Sequence, residues 1–275
     1  MSDEMQEIQN EDLRELDSAL PWDWPEEASD TLIKILKNRA ETENDRLVAA
    51  ELAGEYVVVN DEIVDELLKV LNAEDEPEAL RSQAAISLGP ALEAADTDGF
   101  EDPEDSPISE ESFKKILEVL PRVYSDTKVP KLVRRRVLEA AVRAPQEWHK
   151  DAIRAAYADS DPEWKLSAVF GMGCLKGFDK EILESLDHDD SEIVYEAVRA
   201  AGSWGLTQAK GHIRTILAAD EVEKPLLLAA IEAAVTVAPE EMASHLADLM
   251  DSEDEEVAEA AAESLAIIRA EAGEE

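Results

Sequence analysis

A repeat of roughly thirty residues is the feature that most constrains what this sequence can fold into. Seven stretches combine an acidic turn with small residues at helical spacing, as in DSDPEWKLSAVFGMG from Asp159 and DDSEIVYEAVRAAGSWG from Asp189. Equivalent positions are Ala49, Ala84, Val137, Ala168, Ala197, Ala230 and Ala260. They are separated by 35, 53, 31, 29, 33 and 30 residues, so only the second interval departs from the period. Such a period predicts a stack of short units that each contact mainly their neighbours.

Between these stretches lie other segments, which carry larger apolar residues on one helical face. Ile63, Leu67, Leu68 and Leu71 form such a face in NDEIVDELLKVL. Helix-forming Ala, Leu and Glu dominate the chain, aromatic residues make up only 5%, and alternating β-branched runs are almost absent. Two helices per repeat make a hairpin, which buries its apolar face only by stacking on its neighbours. We therefore predict an all-α protein, an α-solenoid of about seven stacked helical hairpins.

The repeat resembles that of the HEAT family. In AEDEPEALRSQAAISLG, from Ala73, Asp75 lies in the turn, Leu80 and Arg81 follow, and Ala and Leu-Gly close the unit. The resemblance extends over residues 30–268 and implies an armadillo-like superhelix with a concave binding face. The Trp, Gly, Tyr and Pro markers of tetratricopeptide repeats are missing.

The repeats divide the sequence into five predicted segments. The acidic insertion has eight acidic residues and no basic one between Glu93 and Glu110, which predicts a loop. We interpret Trp22 and Trp24 as part of a cap over the open end of the stack, with a free recognition segment as the alternative. The segments are an N-terminal cap at 1–29, repeats 1–2 at 30–92, the insertion at 93–110, repeats 3–7 at 111–270 and an acidic tail at 271–275.

The charge of the chain limits its partners. Asp and Glu number 66 against 26 Lys and Arg, which gives a formal net charge of -40. General nucleic-acid binding needs a cationic surface, and an anionic membrane would repel this one. The acidic composition is consistent either with solubility of a long, thin molecule or with adaptation to a saline cytoplasm. A single cysteine, Cys174, and the lack of a signal peptide or membrane span predict a cytoplasmic protein.

The sequence offers no set of residues for catalysis, and we predict no enzyme activity, no cofactor and no metal. HEAT-like deoxyhypusine hydroxylases carry repeated His-Glu pairs, whereas no histidine here precedes a glutamate. HEAT-like DNA glycosylases are an alternative suggested by Trp148, Trp164 and Trp204, but the charge opposes it and Trp164 occupies an apolar core position. HEAT-like bilin lyases are an alternative by fold analogy alone.

One basic segment contrasts with the acidic remainder. Between Arg122 and Arg154 nine basic and four acidic residues give a net charge of +5. The helical spacing places its arginines opposite the core, on the face that the resemblance makes concave. We predict a non-enzymatic protein-interaction scaffold that binds an acidic segment of a partner protein or peptide there. Equivalent positions in the next two repeats carry Phe170, and then Tyr195 and Arg199. The predicted partner-binding residues are therefore Arg135, Arg136, Arg143, Phe170, Tyr195 and Arg199.

The arginines also have an internal interpretation. Members of the HEAT family carry ladders of Asp–Arg pairs, and Arg134 is a candidate for such a pair with Asp126 or Asp161. For Arg135 and Arg136, internal pairing and partner binding are both consistent with the sequence.

Overall fold

The described part of the chain is helical. A computed structural model describes residues 12–101, 106–219 and 221–272, and no β-strand is present in these ranges. The chain divides into two compact units, here called unit 1 (Met1–His149) and unit 2 (Lys150–Glu275).

The described part of unit 1 contains three helical hairpins and two additional helices, α1 and α6. Helix α1 covers residues 12–18 and is followed by a 3-10 helix at Pro21–Asp23. The first helices of the hairpins, α2, α4 and α7, pack in series, and so do the second helices, α3, α5 and α8. The additional helix α6 packs on α7 and α8. The bounds are α2 Ala28–Lys37, α3 Glu43–Leu52, α4 Asp61–Asn72, α5 Glu78–Ile86, α6 Gly89–Asp98, α7 Glu110–Ser125 and α8 Lys131–Ala141.

Unit 2 repeats the arrangement. Its second helices, α10, α12, α14 and α16, pack in series, and a 3-10 helix at Thr207–Ala209 leads into α13. Helix α9 begins shortly before the division between the units. The bounds are α9 Glu147–Ala158, α10 Pro162–Cys174, α11 Asp179–Ser185, α12 Ser191–Ser203, α13 Lys210–Leu217, α14 Lys224–Val237, α15 Pro239–Leu249 and α16 Glu255–Ala272. Counted in chain order, the described helices form seven hairpins, which confirms the predicted all-α solenoid.

The N-cap of each second helix sets which side chains reach the core. In six of the hairpins the small residue at the predicted position is fully buried and lies seven residues after the N-cap, as Ala168 does after Asp161. In the seventh, Asp254 accepts from the backbone at the start of α16, and seven residues further is Ala261, not Ala260. Ala261 is buried and Ala260 is half-buried, so the predicted position in this repeat was wrong by one residue.

The acidic insertion predicted at 93–110 is not a loop throughout. Glu93–Asp98 forms the second half of α6, so the prediction of a loop is wrong for these residues. Leu92 and Ala95 are buried, which shows that local apolar spacing outweighs the acidic composition. Gly99 follows the helix with a φ of 73°, a conformation that glycine adopts at little cost.

Some predicted segments lie partly outside the described residues. These are the beginning of the segment 1–29, residues 102–105 of the insertion and the end of the tail 271–275. The compact units divide at His149, inside the predicted repeats 3–7 and not at the insertion. Within the described ranges, no helix is long and apolar enough to cross a membrane.

Candidate protein-binding surface

Three arginines of unit 1 form a structural ladder. The Nε of each donates a hydrogen bond to the backbone carbonyl ten residues earlier, at the end of the preceding helix, where carbonyls lack helical partners. The pairs are Arg46 with Leu36 (3.2 Å), Arg81 with Leu71 (3.0 Å) and Arg134 with Tyr124 (2.7 Å). The prediction named only carboxylate partners for Arg134 and therefore missed this carbonyl.

Arg46 is the member of the ladder that the sequence analysis did not identify. It precedes Ala49 by three residues, as Arg81 precedes Ala84, so the spacing contained the signal. Arg46 also holds Glu76 through two hydrogen bonds of 2.6 and 2.9 Å, and both side chains are buried. Hydrogen bonding by Arg46 is the main reason that the pKa of Glu76 is lowered. This pair joins the first two hairpins and belongs to the scaffold.

The predicted binding arginines of α8 are engaged within the protein. The Arg135 side chain is only 6% exposed and lies 3.8 Å from Glu139, so its predicted place on an open surface is wrong. Arg136, which is more exposed, lies 2.6 Å from the same carboxylate. Helix α8 packs against α5, α6 and α7, which leaves little of its surface open. A face opposite the core in one helix is therefore not an exposed face in a stack.

Arg143 lies beyond the end of α8 and is also paired. It donates a hydrogen bond to Glu93 of α6, and its aliphatic part lies over Gly89. A methyl group on Gly89 would lie 2.8 Å from Cδ of Arg143, so the glycine makes room for this side chain. The arginine fixes α6 to α8 and is partly withdrawn from solvent.

The other three predicted residues lie in unit 2, on the second helices. Phe170 and Tyr195 are half-buried and Arg199 is exposed. Arg199 lies 3.2 Å from Glu196, and its guanidinium carbon is 5.8 Å from the centre of the Tyr195 ring. The six predicted residues are thus divided between the two units, and the candidate surface described below consists of unit 2 residues alone.

Equivalent positions on α10, α12 and α14 form a mixed stripe. Leu166, Tyr195 and Leu228 occupy one position, two residues before the buried small residue, and all three are half-buried. The position two residues after the small residue is occupied by Phe170, Arg199 and Glu232. Phe170 is half-buried, and the other two are exposed. Because these helices pack side by side, the stripe continues from one hairpin to the next. We call these six residues the unit 2 stripe.

An open groove of about 390 Å³ lies along part of the unit 2 stripe. Lys224 at its edge contacts Asp254 at 2.9 Å and Glu256 at 2.5 Å, and hydrogen bonding to Glu256 and Asp254 raises the pKa of this lysine. The lysine is therefore held charged by α16 and its preceding turn. The groove is lined by Tyr195, Lys224, Pro225, Leu228, Ala229, Glu232 and Glu256.

The tryptophans considered for base recognition have structural contacts. Trp164 is buried, in agreement with its predicted core position. The Trp148 indole donates to Gln146 Oε1 at 2.8 Å, and the Trp204 indole donates to the carbonyl of Met172 at 2.7 Å. The first bond is local to the start of α9, and the second connects the end of α12 with α10.

The described residues contain no group of three or more His, Cys, Asp or Glu side chains placed to bind a metal ion. His149 is fully buried, and its Nδ1 accepts a hydrogen bond from the backbone N–H of Gln146 at 2.8 Å. Burial lowers the pKa of His149 to about 4. A neutral histidine in this position closes the first turn of α9.

Comparison with known proteins gives structural likeness only. No protein-family model matches the chain, and no curated protein matches it. An engineered protein solved by the Northeast Structural Genomics Consortium is 19% identical, with 75% of this chain and 96% of that chain covered and a TM-score of 0.44. YibA of Escherichia coli is 16% identical, with 94% and 92% covered and a TM-score of 0.45. A second engineered protein is 17% identical, with 90% and 100% covered and a TM-score of 0.35.

Proposed function

We propose that this protein is a non-enzymatic interaction scaffold that binds a segment of a partner protein along the unit 2 stripe. The observation that carries the proposal is the open groove beside Tyr195 and Leu228. Both side chains are half-buried, so each is fixed by packing and still offers apolar surface to a ligand. Aromatic and arginine side chains grouped in this way are typical of residues that dominate protein-binding energy.

The charge pattern favours a partner segment with a carboxylate beside an apolar side chain. Arg199 is exposed, and its ion pair with the more buried Glu196 holds the guanidinium at the surface. A guanidinium can hold an incoming carboxylate through two parallel hydrogen bonds. Lys224 is already held by two carboxylates. We therefore propose that Arg199 is the residue that binds the partner's carboxylate. We propose a cytoplasmic location for this interaction, on the sequence grounds of a single cysteine, Cys174.

The test starts with a random-peptide phage library selected on the full-length protein. We expect enriched peptides that combine an apolar residue with Asp or Glu. Their affinity for the double variant Tyr195→Ser/Leu228→Ser should fall at least tenfold, about 1.4 kcal/mol, because the apolar lining of the groove is lost. Circular dichroism would establish that the variant remains folded.

A charge control separates the site from the overall field of the protein. Arg199→Glu should weaken binding of the selected peptides. Lys180→Glu makes the same change of charge at an exposed residue of α11, away from the stripe, and should have little effect on binding. Equal binding to wild type and to the Tyr195→Ser/Leu228→Ser variant would show that the peptides bind elsewhere, and the proposal would then be wrong.

A further inference from the structure

One end of unit 1 exposes large apolar side chains. In the described residues, Trp22 is 72% exposed, Tyr56 55%, Leu20 54% and Val57 52%. We call these four residues the tryptophan edge. Large apolar side chains exposed together on a protein surface commonly mark an interaction site.

The two segments of the tryptophan edge lead into neighbouring first helices. Trp22 precedes α2 and Tyr56 precedes α4, and these helices pack against each other. Their starts are joined by a hydrogen bond of 2.7 Å from Asn60 Nδ2 to Ser29 Oγ. Both segments therefore lie at the same end of the two helices.

Buried neighbours fix both segments in place. Trp24 packs against the core of unit 1, and its indole donates to the carbonyl of Ala19 at 3.3 Å. Val58 and Val59 are buried in the same core. Of the two tryptophans interpreted as a cap, only Trp24 covers the core, while Trp22 faces solvent. Exposure of Trp22 thus occurs on a segment that packing holds, and it is available for contact without unfolding.

A cavity of about 350 Å³ lies between α1 and the start of α2 and is lined by Asp23 and Trp24, the residues that follow Trp22. Its lining combines an apolar floor with a carboxylate rim. The floor includes Leu16, Trp24 and Ala28, and the rim includes Asp12, Glu15, Asp23 and Glu27. Lysine and arginine side chains match this combination, because their aliphatic part contacts apolar surface while the charged end reaches polar groups.

We infer that the tryptophan edge and its cavity bind a cationic amphipathic segment of a partner protein. Apolar side chains of that segment would contact Trp22, Tyr56 and Val57, and a lysine or arginine would enter the cavity. The occupant follows from charge: residues 15–33 and 47–68 contain no basic residue and twelve acidic ones. A second copy of this chain carries the same net charge of -40 and would be repelled.

This partner differs in charge from the one proposed for the unit 2 stripe, and the two sites lie in different units. A test of one therefore leaves the other unaffected. The two surfaces together would allow the scaffold to hold a cationic and an acidic segment at once.

The probe is a short fluorescein-labelled peptide of alternating lysine and leucine, titrated with the full-length protein at physiological ionic strength and followed by anisotropy. Two matched peptides accompany it, one with every leucine replaced by serine and one with every lysine replaced by glutamate. We expect the Lys/Leu peptide to bind at least tenfold more tightly than either. Its binding should also shift the tryptophan emission of the protein to shorter wavelength, since the Trp22 indole leaves water.

Variants locate the binding. Trp22→Ser/Tyr56→Ser should weaken binding of the Lys/Leu peptide at least tenfold, and Asp23→Asn/Glu27→Gln should weaken it by removing two of the four carboxylates of the rim. Met250→Ser alters an exposed apolar residue of unit 2 and should leave binding unchanged. All of the substituted side chains are exposed, so the variants should remain folded, as circular dichroism would establish.

Three results would overturn the inference. Equal affinity for the Lys/Ser and Lys/Leu peptides would show that the acidic surface attracts any cation. Unchanged binding to Trp22→Ser/Tyr56→Ser would place the peptide elsewhere. A dimer in analytical ultracentrifugation that this variant converts to a monomer would assign the tryptophan edge to a second copy of the chain.

Discussion

Individual residues show both the reach and the limit of spacing as a guide. Three residues before the small core position, the sequence places Arg81 and Arg134, and both donate to a carbonyl ten residues earlier. The same offset would have identified Arg46. Burial of Arg135 was not predictable in this way, because it depends on the helices that cover α8 and on the position of Glu139. One-dimensional spacing describes the faces of one helix and says less about how many neighbours that helix has.

His149 provides a residue-scale prediction about acid stability. Its folded pKa is about 4, against about 6.5 when solvated, so the unfolded state binds the proton first as the pH falls. Protonation would also turn Nδ1 into a donor that faces the Gln146 N–H, so the hydrogen bond between them would be lost. Stability is therefore fully present above about pH 6.5 and is lost as the pH falls towards 4. Between about pH 7.5 and 4.5 the loss due to this group should be about 2–3 kcal/mol.

The control for this prediction is His149→Gln. A glutamine at this position can accept from the N–H three residues earlier, as in a capping box, and does not titrate. Urea unfolding of both proteins at the two pH values gives the difference, and the carboxylates that titrate in the same range contribute equally to both. Parallel pH dependence of the two proteins would contradict the neutral, buried state of His149.

At the scale of elements, the number of helical hairpins followed from the sequence, whereas two details did not. The acidic residues of 93–98 predict a loop, but the buried spacing of Leu92 and Ala95 continues helix α6 through them. The run of alanines at 260–262 does not distinguish the buried residue of α16, so the predicted position differs from the observed one by one residue. Ala261 lies seven residues after the cap Asp254, and the buried small residue lies at the same distance from the N-cap in the other second helices. The cap is thus a better guide to the buried face than the composition of the helix.

The close packing of second helices gives an element-scale prediction. Gly202 of α12 and Gly173 of α10 occupy equivalent positions, one residue before the end of each helix. A methyl group on Gly202 would lie 2.9 Å from both Cα and Cβ of Ala233 in α14, so α12 and α14 would have to separate. Gly202→Ala should therefore cost about 1–3 kcal/mol of the free energy of unfolding.

Gly173→Ala is the matched control. The nearest atoms to its added methyl group belong to Ala200, at 3.7 and 3.8 Å, which is ordinary contact. Replacing a helical glycine by alanine without a clash should be neutral or should stabilise by up to about 1 kcal/mol. Denaturant unfolding of the two variants decides the matter. A similar midpoint for both would mean that the second helices are less closely packed at Gly202 than the structure shows.

At the scale of the whole molecule, the sequence predicted the fold class from its period and limited the partners through its charge. It did not predict how the arginines are paired: four of the six predicted binding residues are arginines, and each lies close to a carboxylate of the protein itself. Tyr195, Phe170 and Arg199 remain on the unit 2 stripe, and the tryptophan edge depends on exposure that a sequence does not record. Net charge is a sum over residues and is fully given by the sequence, whereas the pairing of each charge requires the structure.

The net charge of -40 leads to the last prediction. Surplus carboxylates repel one another in the folded state, and salt weakens this repulsion by shortening the distance over which charges interact, from about 30 Å at 0.01 M to about 10 Å at 0.1 M. The melting temperature should therefore rise with salt, and most of the rise should be complete by roughly 0.2 M. NaCl and KCl should act alike, because screening depends on ionic strength. A melting temperature that rises only towards about 1 M, where the screening distance is already about 3 Å, would instead indicate exclusion of salt from the protein surface. A fall with added salt would show that attractive pairs such as those of Lys224 outweigh the repulsion.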